Sequence, residues 1–277
     1  MIRASGLRKA YRDVVAVDDV ALEVTAGEVF ALLGPNGAGK TTVTEILEGF
    51  RTADAGAVSV LGVDPGRAGP AWRTRIGVVL QEVGDFNEIT VEEVLRHFAH
   101  YYPHPRKVPE LIEEVGLTEK RKSRTGQLSG GQRRRLDVAL GLIGQPELLF
   151  LDEPTTGFDP AARRQFWGLI ERLRNQGTTI LLTTHYLEEA EHLADRVGVL
   201  VNGRLVDLDT PARLGGRHRA QATVRWSDGR GPHEELTSQP AEMVATLHSN
   251  LGTALADLTV TRPTLEDVYL TMIGADE

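Results

Sequence analysis

At 277 residues, with 41% hydrophobic and 25% charged residues, the chain has a globular composition and enough length for one large domain plus a small one. A formal charge of −8 argues against a nucleic-acid surface, and the lack of cysteine excludes disulfides and thiolate metal sites. No apolar run approaches the roughly 20 residues that cross a bilayer, and residues 1–13 lack the apolar centre of a signal peptide.

Residues 2–33 read as strands, with Val15, Val17, Val20, Leu22 and Val24 alternating in part and Ala26-Gly27-Glu28 turning the chain. Residues 29–33 are an apolar run of strand length, and 40–50 form a predicted helix with Val43, Ile46 and Leu47 on one face. Between them stands Gly34-Pro35-Asn36-Gly37-Ala38-Gly39-Lys40-Thr41, a G-x-x-x-x-G-K-T pattern expected by chance roughly 0.006 times in such a chain. Strand, glycine-rich turn and helix surround phosphate oxygens with backbone N–H groups and a helix N-terminus. Lys40 would reach the β- and γ-phosphates, and the Thr41 hydroxyl would ligate Mg²⁺.

A strand pattern at 76–80 precedes Gln81, and Thr90-Val91-Glu92-Glu93 is a capping box opening a helix through about Tyr102, before Pro103 and Pro105. His97, His100 and His104 lie in this stretch, but Pro103 breaks their spacing and no acid or cysteine completes a metal set. Further on, Ser129 is a predicted N-cap for a helix over 132–143, with Leu136, Leu140 and Ile143 on one face. With Gly130, Gly131 and Gln132 it makes a second anion site, bare N–H groups at a positive helix end. Arg133 to Arg135, beside those glycines, suit phosphate screening or solvent. Residues 148–151 form a buried-strand pattern ending in Asp152 and Glu153. A strand-end aspartate beside a phosphate loop holds Mg²⁺, and Glu153, pointing the other way along the strand, suits a general base for water. A strand over 179–184 leads to His185.

A composition shift at Leu214-Gly215-Gly216 predicts a boundary. Beyond it lie a strand at 220–226, a turn or loop at 227–232, a helix at 240–251, a strand at 255–261 and a helix at 264–273 capped by Thr264, together a small α/β appendage.

Over roughly residues 1–215, the glycine loop, Leu128-Ser129-Gly130-Gly131-Gln132, and Leu151-Asp152-Glu153-Pro154 strongly resemble the ATP-binding cassette (ABC) family. The resemblance implies the P-loop ATPase fold of that family: an α/β core of mostly parallel sheet, an N-terminal antiparallel β part and a helical subdomain at about 82–145. Residues 216–277 are then an accessory domain. It also implies ATP and Mg²⁺ as ligands. Residues 34–42, Thr42 included, would hold the phosphates, and Tyr11 would stack on adenine. Gln81 would contact Mg²⁺ and report to a membrane partner, with Thr41 and Asp152 as the other metal contacts. Glu153 would be the base, with His185 and Lys40 at the γ-phosphate. Gly157-Phe158-Asp159 matches the family's D-loop, where Leu is commoner than Phe158.

In that family Ser129 to Gln132 completes the ATP site of a second subunit, so two nucleotides lie between head-to-tail partners, and the helical subdomain receives a permease helix. Arg262-Pro263-Thr264-Leu265-Glu266-Asp267-Val268-Tyr269 resembles the C-terminal tail of the daunorubicin-resistance branch, whose members energise ABC-2-type exporters. The implied protein is a peripheral ATPase, in homodimer form, at the cytoplasmic side of the membrane. A non-transport soluble ABC ATPase and a drug-sequestering resistance protein are the alternatives. Against the first, ribosome-acting relatives join two cassettes, whereas this chain has one. DNA-repair relatives split the cassette with coiled coils or zinc modules that are absent here.

Overall fold

Two long strands open the chain because their apolar residues alternate with polar ones. β1 (Ile2–Tyr11) and β2 (Val14–Val24) pair antiparallel around a tight reversal in which Arg12 has φ 52. Apolar side chains such as Ile2, Leu7, Val20 and Leu22 are turned inward. β3 (Val29–Leu33) is buried along its whole length, as a continuous apolar run requires. It feeds α1 (Lys40–Glu48), whose Val43, Ile46 and Leu47 are buried. β4 (Ala55–Val60) returns to pair antiparallel with β1, completing a three-stranded sheet of order β2-β1-β4.

The short α2 (Pro70–Arg73) is anchored by Trp72, whose ring N–H donates to the Val60 carbonyl at 2.8 Å. β5 (Ile76–Val79) follows. The structure, a computed structural model, describes residues 1–79 and 86–274; Leu80 and Gln81 lie outside the described residues. α3 (Val91–Ala99) starts with the capping box read from sequence, Thr90 and Glu93 exchanging bonds, but ends three residues before Tyr102, with His100 as its C-cap. α4 (Val108–Glu114) and α5 (Gly130–Leu142) complete the helical stretch.

β6 (Leu148–Asp152), α6 (Pro160–Asn175), β7 (Thr179–Thr184), α7 (Leu187–Leu193), β8 (Arg196–Val201) and β9 (Arg204–Asp209) finish the large sheet, ordered β5-β6-β7-β3-β8-β9. The pairs β5–β6, β6–β7, β3–β7 and β3–β8 are parallel, with helices in the connections. The central strands are buried over most of their length, their polar residues being Asp152 at the end of β6, Thr179, Thr183 and Thr184 in β7, and Arg196 at the start of β8. Asn202 and Gly203, at φ 48 and 78, turn β8 into β9.

One close approach fixes how α5 lies on the sheet. A Cβ added to Gly77 in β5 would sit 2.3 Å from the Gly141 carbonyl oxygen and 2.9 Å from Leu149 Cδ1. Gly77→Ala should therefore push helix from strand and destabilise by about 1–3 kcal/mol, the usual cost of overpacking. A thermal unfolding scan of the variant checks this; an unchanged midpoint would contradict the packing.

The contacts divide the chain into two compact units, Met1–Leu208 and Asp209–Glu277. Leu214, Gly215 and Gly216 lie inside the second, both glycines at positive φ (60 and 74). That unit has three strands where the sequence suggests two. β10 (Ala222–Asp228) is central between β11 (Gly231–Thr237) and β12 (Ala256–Thr261), all antiparallel. β11 lacks apolar alternation. It is fixed instead by cross-strand pairs, Arg225 to Glu234 at 2.7 Å and Trp226 stacked on His233 at 5.2 Å. Its Pro232 is tolerated because β11 is an edge strand. α8 (Pro240–Leu251) follows β11, and α9 (Leu265–Ile273) begins at the Thr264 capping box.

Candidate functional site

The glycine loop leaves the carboxyl end of β3 and is held tightly against its neighbours. A Cβ on Gly34 would meet the Leu200 carbonyl at 2.3 Å, and one on Gly39 the Ala16 carbonyl at 2.2 Å. Gly39 has φ 101, a left-handed turn that starts α1. Beyond it Lys40 is 6% exposed, its ammonium donating to the Gly34 carbonyl at 2.8 Å and the Pro35 carbonyl at 3.2 Å. Thr41 is exposed on the first helical turn, and Thr42 is half-buried beside it.

The two acids stand beside this loop because β6 is close in the same sheet. Asp152 accepts a hydrogen bond from the Thr183 hydroxyl of β7 at 2.5 Å. Glu153 is not placed by strand alternation, as the sequence reading supposed. It lies past the strand with φ 42, a left-handed conformation costing an ordinary side chain on the order of 1 kcal/mol. Its N–H donates to the Thr183 hydroxyl at 3.0 Å, which holds that turn. The result is a carboxylate that reaches two groups of the same site, the Lys40 ammonium at 3.4 Å and His185 Nδ1 at 3.2 Å.

Tyr11, Ala16, Asn36, Gly37, Gly39, Lys40, Thr41, Thr42, Asp152 and Glu153 line a cavity of about 500 Å³. Tyr11 is 38% exposed, with the Arg51 guanidinium 5.3 Å and the Lys9 ammonium 5.8 Å from its ring centre. Below the cavity, burial, then the charges of Asp152 and Glu45, pushes the Glu48 carboxyl up to about 8. A hydroxyl and a carboxylate with open space between them form an oxygen-only set that fits Mg²⁺, which keeps its remaining positions for water and phosphate. The same cavity, with a buried ammonium facing it, fits a triphosphate.

The residues expected to make the second anion site lie elsewhere on the molecule. Ser129 caps α5, accepting from Gln132 N–H at 3.4 Å, while Gln132 Oε1 accepts from Ser129 N–H at 3.1 Å. Ser129 and Gly130 are exposed, and neither they nor Gly131 and Gln132 line the cavity at Lys40. Leu136 and Ile143 are buried as expected, whereas Leu140 is only half-buried, and Val138, Ala139 and Leu142 join the buried face. Of the three arginines that follow, Arg134 is buried, whereas Arg133 and Arg135 are half-buried. Arg133 donates to Asn87 and to the Thr125 carbonyl, Arg134 to the Asp152 and Pro154 carbonyls, and Arg135 to Gln165. Each reaches a different neighbour, Arg135 the helix α6, because helix periodicity sends consecutive residues to different sides.

Asp159, in the sequence match to the D-loop, caps α6, accepting from the N–H groups of Ala161 and Ala162 at 2.8 Å each. His97 and His100 make local bonds to Tyr101 and to the Arg96 carbonyl. Thr183, Glu48 and Arg134 are the site neighbours that sequence reasoning missed. Thr183 carried a signal, a hydroxyl near the end of an otherwise apolar strand. The other two carried none, one being a late residue of an ordinary helix and the other the middle of three arginines. Among the described residues no helix is long and apolar enough to cross a membrane.

The ABC transporter family profile matches residues 17–156. The chain is 36% identical over 300 residues to a Nod factor export ATP-binding protein I of Rhizobium sp. (strain N33), covering 99% of this chain and 97% of that one. It is also 36% identical over 304 residues to a daunorubicin resistance ATP-binding protein of Streptomyces coeruleorubidus, covering 99% and 96%. Among solved structures it resembles an ATP-binding subunit of an ABC transporter, with TM-score 0.69, 28% identity and coverage of 76% of this chain and 90% of that one. A subunit of an ABC transporter complex from Clostridium perfringens gives TM-score 0.70 at 26% identity, covering 76% and 89%. The phosphate loop, the paired acids, the family profile and relatives matched over nearly the full length lead to one assignment: the chain belongs to the ABC transporter family, as an ATP-binding subunit with ATPase activity.

Proposed function

We propose that the chain powers export of a drug-like or other small hydrophobic compound through a separate membrane permease of the ABC-2 type. In this reading it sits on the cytoplasmic side of the membrane as a dimer of ATPase subunits. Names of full-length relatives support the exporter branch, one for Nod factor export and one for daunorubicin resistance. The observation that carries the site reading is the convergence of Lys40, Glu153 and His185 beside a cavity that the N-terminus of α5 does not reach.

ATP enters with adenine against Tyr11 and its phosphates along the loop from Gly34 to Thr42. Lys40, now resting on two loop carbonyls and Glu153, turns to the β- and γ-phosphates. Thr41 and Asp152 would hold Mg²⁺, which neutralises charge on the phosphates; Gln81, outside the described residues, is the remaining metal contact in this reading. Glu153 accepts a proton from the attacking water as its oxygen bonds to the γ-phosphorus and the bond to ADP breaks. His185 and Lys40 stabilise the transferring charge. Ser129, Gly130, Gly131 and Gln132 of a second subunit close over the γ-phosphate, offering N–H groups and a helix end. Closure and release then bias the permease between two accessibilities.

Affinity capture of the tagged chain from detergent-solubilised membranes should bring down a polytopic membrane protein. Inverted vesicles holding both should accumulate the exported compound only with Mg²⁺ and ATP, and EDTA should stop hydrolysis and uptake together. A chain found wholly in the soluble fraction, hydrolysing ATP with no membrane protein attached, would contradict the exporter reading.

A further inference from the structure

Arg134 is a charged side chain only 6% exposed, and burial pulls its guanidinium below the usual arginine range. It projects from α5 five residues past the Ser129 cap, into the turn that carries the two acids. Its Nη2 donates to the Asp152 carbonyl at 2.5 Å and its Nε to the Pro154 carbonyl at 3.1 Å. The bonded carbonyls thus lie on either side of Glu153, the residue with φ 42. Asp137, one helical turn further, is 7% exposed, its carboxyl pushed up to about 6 by burial against the pull of Arg134 and Arg133. The buried Glu189 on α7 adds a third acid facing the guanidinium. Desolvating an arginine this far costs stability unless its donors are used, and here they are used on the backbone of the hydrolytic turn.

We infer that Arg134 is a positioning residue through which the helix closing one ATP site holds Asp152 and Glu153 of the other. The inference rests on the reading that α5 serves the nucleotide of a second subunit. In such a pair, the N-terminus of α5 touches one ATP, while the carbonyls held by Arg134 set the carboxylates that act on a different ATP. Engagement of Ser129 with a γ-phosphate moves α5 as a rigid element, and the two guanidinium bonds pass that movement to Glu153. The link is a contiguous physical one, a helix and two charge-assisted bonds.

Arg134→Met keeps the length and removes the donors, and its test separates binding from turnover. ATP affinity, read on the full-length chain, should stay within about twofold, because Arg134 lines no part of the cavity. The kcat should fall by at least about tenfold, the effect of one lost charge-assisted bond. The Hill coefficient for ATP in hydrolysis, above 1 and bounded by about 2 for two sites in the parent, should drop to about 1. If Arg134→Met does not fold, Arg134→Lys, with its charge kept but reach for a single carbonyl, is read in the same way. Parental kcat and Hill coefficient in a folded variant would overturn the inference, and so would a loss of ATP affinity equal to the loss of turnover. Failure of Glu153→Gln to form an ATP-held dimer would overturn the two-subunit site itself, a result separable from the kinetics of Arg134→Met.

Discussion

Glu153→Gln should bind ATP as the parent does and hydrolyse it at least about a hundredfold more slowly, the typical effect of losing a general base. The geometry makes this a clean substitution. Glutamine fills the same volume on the same left-handed turn, and the turn is held by backbone bonds to Thr183 that the change leaves intact. What disappears is the anion 3.4 Å from Lys40 and 3.2 Å from His185. ATP binding should survive, since Lys40 keeps its loop contacts and is relieved of a competing carboxylate. The variant should also accumulate as an ATP-held dimer, visible by gel filtration with Mg²⁺ and ATP and lost on adding ADP alone. Hydrolysis at the parental rate would remove Glu153 from the mechanism.

The core of the fold was legible because its signals are local. A continuous apolar run at residues 29–33, a glycine loop and an amphipathic helix reproduce β3, the phosphate loop and α1 almost residue by residue. The caps at Thr90, Ser129 and Thr264 were equally readable, since each is a side chain bonding three residues along its own chain. Less legible was whatever depends on partners distant in sequence. β11 is held by Arg225 and Trp226 across the sheet and shows no apolar period of its own. The orientation of Glu153 depends on Thr183, thirty residues later, rather than on the alternation of its own strand. Arg134 looks like one of three surface arginines until the fold brings the Asp152 turn against α5. Glu48 becomes unusual only through its burial near Asp152.

The claim at the centre of this account is that each ATP site is built from two chains, and complementation between two dead variants measures it directly. Lys40→Ala loses phosphate binding, and Ser129→Arg places a bulky side chain at the exposed helix end where a partner's γ-phosphate would dock. Each alone should be nearly inactive. In a mixed dimer both lesions fall in one composite site, because Lys40 of one chain faces Ser129 of the other. The second site then keeps an intact Lys40, Glu153 and Ser129. Mixed dimers isolated by two different affinity tags should therefore hydrolyse ATP well above the sum of the separate variants. The ceiling is about half the parental activity if the sites fire independently, and the shortfall from it measures the coupling assigned to Arg134. Mixed dimers that are demonstrably formed yet hydrolyse no faster than that sum would contradict the two-chain site.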